Sequence, residues 1–456
     1  MSKPQQAGVP IGTRADLIAE IERGCKPVEK WRIGTEHEKF GFRLSDRSPL
    51  GYDDPDGIAV LLRALGQRMG WREVIEGETL IGLEDPVGGG NVSLEPGGQL
   101  ELSGAPLETV HQTCNEVNTH LSHVRAIAGD LGIGFIGLGF SPKWTLAQTP
   151  RMPKGRYAFM TAYMPKVGGH GLDMMYRTCT VQVNLDFSSE ADMVKKLRVS
   201  LALQPVATAI FANSPFTEGR PNGFCSYRAE VWRDTDNERT GLLPFAFEDG
   251  MGFEAYVDYA LSVPMYFVQR GARYIDARRG SFADFMEGRL EVLPGERPTD
   301  TDWLNHLSTL FPDARLKSYL EMRGADGGPW RRLCALPAFW TGLLYDGSAL
   351  DAAWDLVKDW SSEEREKMRN DVPRLGLAAR LRSDTVQDIA KQAVSIAREG
   401  LARRARTNAS GEDESIFLEE VESIVWSGKT PAERLLERFH GEWEGKIDPL
   451  FAAEAY

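Results

Sequence analysis

Two glutamates two residues apart, Glu36 and Glu38 in the stretch WRIGTEHEKFGFR from Trp31 to Arg43, constrain this chain more than any other feature. In an extended strand, side chains two apart leave from the same face. Like charges that close raise each other's pKa and weaken the strand unless cations lie between them. A solvated surface strand accounts for an isolated E-x-E, but here the pattern recurs. In QLELSGAP, Leu100 and Leu102 oppose Gln99 and Glu101. In YRTCTVQVNLDF, from Tyr176 to Phe187, Val181, Val183 and Leu185 alternate with Gln182, Asn184 and Asp186. In YLEMRGADGGPWRR, Tyr319, Glu321 and Arg323 share one face against Leu320 and Met322. Each segment reads as a strand with one core face and one face free for a ligand. Glu95 stands just before a Pro96-Gly97-Gly98 kink that can turn it back to the same surface.

If these strands form one antiparallel sheet, its polar face collects Glu36, Glu38, Glu95, Glu101 and Glu321 without neutralising lysines. Such a density of hard oxygen ligands calls for divalent cations, and oxygen-only ligation selects magnesium or manganese over zinc. The segment from Pro86 to Gly98, with GGGN at Gly88 to Asn91, is either a phosphate-approaching backbone or a plain turn. Arg220, Arg228, Arg233 and Arg239 add bidentate donors suited to carboxylates and phosphates. Magnesium, carboxylates and arginines are the inventory of phosphoryl transfer from ATP, although no Walker or kinase signature is present. A metal-dependent or carboxylate-pair hydrolase is the other chemistry these residues allow. His111, His120 and His123 lack nearby carboxylate partners and read as packing or surface residues.

A net charge of -13 excludes a nucleic-acid surface as the main business of the chain. No run of about 18 apolar residues predicts a membrane span, and the N-terminus has no apolar signal core, which predicts a cytoplasmic location. The five cysteines are scattered and read as buried thiols. No linker divides the sequence, so one catalytic body over residues 1–456 is expected. Helices are expected at 13–22, 57–69, 106–131 and 191–211, and a helical C-terminal elaboration over about 350–456, with helices at 351–360, 384–406 and 414–426.

The motifs GTEHEKFGF, GGGNVSLEPGGQLELSGAPLETVHQTC, CTVQVNLDF and RLKSYLEMRGADGGPWRRLCALPAFW closely resemble the glutamate–cysteine ligases of the plant and proteobacterial type. The resemblance covers nearly the whole chain. It implies an α+β, glutamine-synthetase-like fold, in which a curved, mainly antiparallel sheet forms a catalytic cradle surrounded by helices. It implies ATP-dependent joining of the γ-carboxylate of L-glutamate to the amine of L-cysteine through a γ-glutamyl phosphate, the first step of glutathione synthesis. By the family's pattern, Glu38, Glu95 and Glu101 hold one magnesium, and Glu36, Glu321 and Gln182 hold the ions that bridge ATP and the γ-carboxyl. Arg233 and Arg323 stabilise the transferring phosphoryl group, and Asn184 orients substrate or nucleotide. Arg228 or Arg220 takes a substrate α-carboxylate, and Tyr163 and Tyr266 shape the cysteine pocket. Plant members carry a redox-switching disulfide at positions that are Ala277 and Val292 here, so that switch is absent. Cys114 and Cys334 match a second plant cysteine pair and are expected as reduced thiols. Glutamate, cysteine and ATP are the expected partners of a monomer or homodimer. A glutamate ligase with another amine acceptor, or a sensor without turnover, are the competing readings.

Overall fold

The computed structural model describes residues 8–456 except Ala272. Thr13 caps α1 (Arg14–Glu22) through a reciprocal capping box with Asp16. The chain then enters β1 (Ile33–Arg43), where Ile33, Thr35, His37 and Lys39 are buried while the residues between them are half-buried. This period-2 burial puts Glu36 and Glu38 on the face opposite the core. Next come α2 (Ile58–Met69), β2 (Arg72–Glu76), β3 (Thr79–Glu84), β4 (Asn91–Leu94) and β5 (Leu100–Ser103). The GGGN segment is the β3–β4 turn: the Asp85 amide donates to the Gly90 carbonyl, and the Asp85 carboxylate takes the Val87 amide. A second turn ends at Gly98, whose φ of 85° favours glycine, and sets Glu95 beside β5.

After α3 (Val110–Asp130), β6 (Ile133–Ile136) and α4 (Gly155–Tyr163), the chain forms β7 (Thr180–Leu185), which is shorter than expected because Tyr176 and Arg177 end a short helix, Gly171–Arg177. The long α5 (Glu190–Ile210) is buried on almost every side, as a core helix should be. Then follow α6 (Tyr227–Arg233), α7 (Asp300–Leu307), β8 (Ala314–Leu316), β9 (Leu320–Asp326), α8 (Trp330–Leu344) and α9 (Val386–Arg404).

Nine of these strands form one antiparallel sheet in the order β8-β9-β7-β1-β5-β4-β3-β2, with β6 paired to the far half of β1. The register sets Glu38 opposite Glu101, Glu36 opposite Gln182, and Glu321 opposite Asn184. Beneath the sheet, Val181, Val183, Leu185, Leu320 and Met322 join α3, α5, α8 and α9 in a core that runs from Ile11 to Val425. The expected α+β architecture and helical C-terminal region are thus present. Two C-terminal helices escaped the sequence reading, Ser362–Leu375, which carries Pro373, and Pro431–His440. His37 and His120 are buried with their rings edge to face, 5.6 Å apart, and His123 accepts from Arg68.

The cysteine expectation needs correction. Cys114 on α3 and Cys334 on α8 form a disulfide, with Cα atoms 5.4 Å apart, because these two helices pack directly on one another. Cys179 and Cys225 are buried thiols, as expected. Ala277 and Val292 stand together in the wall of a surface depression that also includes Tyr163. Among the described residues, no helix is long and apolar enough to cross a membrane.

His306, in the last turn of α7, is buried against Phe282, and its Nε2–H donates to the Ala260 carbonyl 2.8 Å away. Burial lowers its pKa to about 4. Between about 4 and 6.5 the unfolded chain therefore binds the extra proton, so the stability His306 contributes is complete above 6.5 and is lost as pH falls. Urea titrations should show the wild type losing on the order of 2–3 kcal/mol across this window relative to His306→Gln. A pH-independent difference between the two proteins would contradict this.

Candidate active site

The polar face of the sheet floors a cleft of about 510 Å3. Glu36, Glu38, Glu95, Glu101, Gln182, Asn184, Glu321 and Arg323 all line it, so the strand-based expectations converge on one place. Cross-strand pairing explains this, because the side chains of residues opposite one another in a ladder share a face. β9 contributes through a bulge between Met322 and Ala325 that carries Arg323. There the Arg323 amide donates to the Asp313 carbonyl, and its Nη1 donates to Gln182 Oε1 at 2.8 Å.

Charge divides the cleft into two halves. On the β8–β9 side, Glu321 is fully buried and accepts from Arg315 Nε at 2.5 Å, with Lys317 Nζ at 3.8 Å and Arg323 Nη1 at 3.3 Å. Burial alone would raise its pKa, but Arg315, Lys317 and Arg323 outweigh it and hold the carboxyl well below the usual range. The expectation of carboxylates without neutralising cations is therefore wrong for Glu321. On the β1 side cations are also present, but burial and repulsion outweigh them. Burial, then repulsion from Glu321 and Glu101, raises the pKa of Glu36, against Lys317 and a 3.1 Å hydrogen bond from Asn184. Burial, then Glu95 and Glu101, pushes Glu38 well above the carboxylate norm, although Arg228 and the Thr180 amide, at 2.9 Å, oppose it.

Arg315, Lys317, Lys154 and Arg156 also line the cleft and were missed by the sequence reading. Arg315 and Lys317 stand two apart in RLKSYLEMR, so the alternation that marked Glu321 and Arg323 could have flagged them. Nothing in the local sequence marks Lys154 and Arg156, which reach the cleft because α4 is docked there: Lys154 Nζ and the Tyr157 hydroxyl both donate to the Leu94 carbonyl at 2.7 Å. Burial lowers the pKa of Lys154 and of Lys317 to about 8.

Five expected residues do not join the cleft lining. Arg220 is exposed on a small hairpin, and Arg233 is paired with Glu230 at 2.6 Å, outside the cleft lining. Tyr163 and Tyr266 pack edge to face, 4.9 Å apart, beside the buried Arg239–Asp236 pair, and the Tyr266 hydroxyl donates to Asp236. Arg228 is 3% exposed and lies in the wall of an adjoining chamber.

Among the described residues, no three His, Cys, Asp or Glu side chains already converge closely enough to hold one metal ion. The donor set nevertheless fits a hard divalent cation. Glu321 Oε1 and Asn184 Oδ1 are buried without a hydrogen-bond donor, and Glu36 and Glu38 face like charge with too little cation to balance it. Such a face can bind metal-bridged phosphates, while Arg323, Arg315 and Arg156 receive developing anionic charge.

Comparison with known proteins gives the family. Residues 32–453 match the family model for glutamate-cysteine ligase family 2. The chloroplastic glutamate–cysteine ligases of Nicotiana tabacum and Arabidopsis thaliana are each 58% identical over 444 residues, covering 97% of this chain and 83% of theirs. A crystal structure of glutamate–cysteine ligase from Francisella tularensis in complex with AMP aligns with a TM-score of 0.56 at 11% identity, over 91% of this chain and 86% of that one, which supports the fold. The relatives also correct one expectation. They are chloroplastic by name, against the expected cytoplasmic location, which is withdrawn.

The β1-side electrostatics carry a stability consequence. A carboxylate whose pKa is raised by folding contributes fully below about 4.5 and loses that contribution as pH rises through its folded value. At pH 7, without metal or nucleotide, Glu38→Gln should raise the unfolding free energy by about 1–2 kcal/mol while abolishing turnover. Calorimetric melting of the two apo proteins tests this, and a lower melting temperature for the variant would show that Glu38 is not held against repulsion.

Proposed function

This chain belongs to glutamate-cysteine ligase family 2, and from that membership we propose how its cleft carries out the family's reaction. The chain catalyses the ATP-dependent ligation of glutamate to cysteine, the first step of glutathione synthesis. The observation that carries the assignment to this cleft is the gathering of Glu36, Glu38, Glu95, Glu101 and Glu321 with Gln182 and Arg323 on one sheet face.

In the proposed mechanism a γ-carboxylate oxygen of glutamate attacks the terminal phosphorus of ATP, and ADP leaves. The amine nitrogen of cysteine then attacks the acyl carbon, phosphate departs, and the nitrogen loses a proton as the amide forms. Magnesium, or manganese, supplies neutralisation of the phosphate charge when bound. Glu38, Glu95 and Glu101 would hold it at one end of the β1 face, and Glu36, Glu321 and Gln182 at the other. Arg315 keeps Glu321 ionised and oriented through Oε2, while Oε1 has only the looser Arg323 ion pair at 3.3 Å, which a cation would share or displace. Arg323 lies between the two ligand groups, donating to Gln182 while flanking Glu321, and is the residue proposed to follow charge from phosphate to acyl phosphate. Asn184, bonded to Glu36, orients that carboxylate. Of the two arginines considered for a substrate carboxylate, Arg228 is the one beside the cleft. Arg233, paired with Glu230 outside the cleft lining, is given no role in this mechanism. We further propose that residues 1–456 act as one catalytic unit.

Purified protein given ATP, magnesium, glutamate and cysteine should release ADP and γ-glutamylcysteine in equal amounts. Glu36→Gln should lack detectable ligation, and Arg323→Lys should lose on the order of 10²–10³ in kcat, as expected when a preorganised donor to transition-state charge is displaced. Near-normal turnover of either variant would refute the cleft assignment. Dipeptide formation that another amine supports with a higher kcat/KM than cysteine would refute the acceptor.

A further inference from the structure

Glu101 is held differently from the other β1-side carboxylates. Among the described residues Glu36, Glu38 and Glu95 each take one donor, from the Asn184 side chain, the Thr180 amide and the Tyr157 hydroxyl. Glu101 takes two, one on each oxygen: the Ser93 hydroxyl donates to Oε2 at 2.8 Å and the Ser103 hydroxyl to Oε1 at 3.2 Å. Strand pairing sets both contacts. Ser93 stands directly opposite Glu101 in the β4–β5 ladder, and Ser103, two residues further along β5, leaves from the same face. Ser93 is 1% exposed, and a hydroxyl has a single proton to give, so that proton is committed to Glu101. Among the described residues neither lysine nor arginine forms an ion pair with Glu101.

Glu101 repels both Glu36 and Glu38, so a side chain free to rotate would turn away from them. A lysine or arginine would hold it in place but would also satisfy the negative charge that draws a metal, as Arg315 and Lys317 do for Glu321. A hydroxyl holds without neutralising. One hydroxyl on each oxygen also leaves each a second lone pair. We propose that Ser93 and Ser103 are positioning residues, which fix the Glu101 carboxylate for a divalent cation while leaving its charge intact. This rests on the ligase reading above, in which Glu101 would hold metal, and adds the means by which the chain keeps that side chain in place before metal arrives. Of the two, Ser93 makes the shorter and more deeply buried bond and contributes more.

Binding of manganese alone, without nucleotide, read from the electron paramagnetic resonance of the free ion, reports on the site without turnover. In Ser93→Ala one class of manganese sites should weaken about tenfold or more, the range for removing a hydrogen bond to a metal ligand, and Glu101→Gln should weaken the same class further. Ser103→Ala should weaken it about threefold, the range for one ordinary hydrogen bond. The KM values of Ser93→Ala for glutamate and cysteine, taken at saturating magnesium, should stay close to those of the wild type, which a general loosening of the fold would not allow. A wild type that binds no manganese, a folded Ser93→Ala protein with wild-type affinity, or equal rises in every KM would each overturn the proposal. If Ser93→Ala fails to fold, Ser103→Ala, at a half-buried position, decides. Failure of the ligase reading has a separate signature: wild-type protein with ATP, magnesium, glutamate and hydroxylamine would form no γ-glutamyl hydroxamate, while the order of manganese affinities would stand.

Discussion

The rest of the structure depends on keeping β1 straight while Glu36 and Glu38 repel their neighbours. No local interaction does this. The strand is clamped by β5 on one side and β7 on the other, and its reverse face is sealed by buried Thr35, His37 and Lys39 over the core. Backbone pairing and apolar burial thus hold together an arrangement that electrostatics alone would open. The chain balances Glu321 with its own Arg315 and Lys317 but leaves the β1 pair short of positive charge. That asymmetry locates the demand for a cation on one side of the cleft and leaves the other side competent for anionic phosphate.

β9 is both a wall of the site and the post to which neighbouring parts are tied. Its bulge at Arg323 is held by Thr208 on α5, whose hydroxyl contacts the Gly324 carbonyl at 3.0 Å. A Cβ at 324 would meet the Gln204 side chain, its amide nitrogen at 2.5 Å, so glycine there gives that buried side chain of α5 its room. Two residues further on, Asp326 takes the Asn213 amide and the Ser214 and Ser226 hydroxyls. One short strand therefore aligns a charged side chain in the cleft and the helix that bears Arg228. Second-layer contacts of this kind hold functional groups in register without touching a ligand.

Residues that reach the site through strand alternation were legible in the sequence, because the period of 2 survives any tertiary context. Glu36, Glu38, Glu101, Gln182, Asn184, Glu321 and Arg323 all belong to this class. Residues delivered by helix docking were not. Lys154 and Arg156 arrive through α4, an event without a sequence period, and Arg228 was legible as an anion-binding residue type but not in its place, which the Asp326 anchor sets. The same lack of local signal explains why the sequence did not reveal that Arg220 and Arg233 stand outside the cleft lining. An arginine advertises its capacity to bind anions but not its partner, and Glu230, three residues from Arg233, had the closer claim. The helix Ser362–Leu375 was overlooked because its polar composition hides a narrow buried stripe of Arg365, Met368 and Val372.

The placing of β1 also shapes how the protein must be made. The first strand in the sequence is central in the finished sheet, with His37 opposite Val181, and the partner strand β7 in turn sets Leu185 opposite Leu320. Much of the sheet therefore consists of contacts between distant parts of the chain, a topology that folds slowly because loop-closure entropy is spent before pairing repays it. A growing chain that has exposed β1 and β5 can form one side of the sheet while β1's other edge stays bare until β7 emerges. During that interval a strand edge with two adjacent negative charges resists pairing with a copy of itself. The glutamates that the finished sheet must strain to hold then act as protection against aggregation in the unfinished one.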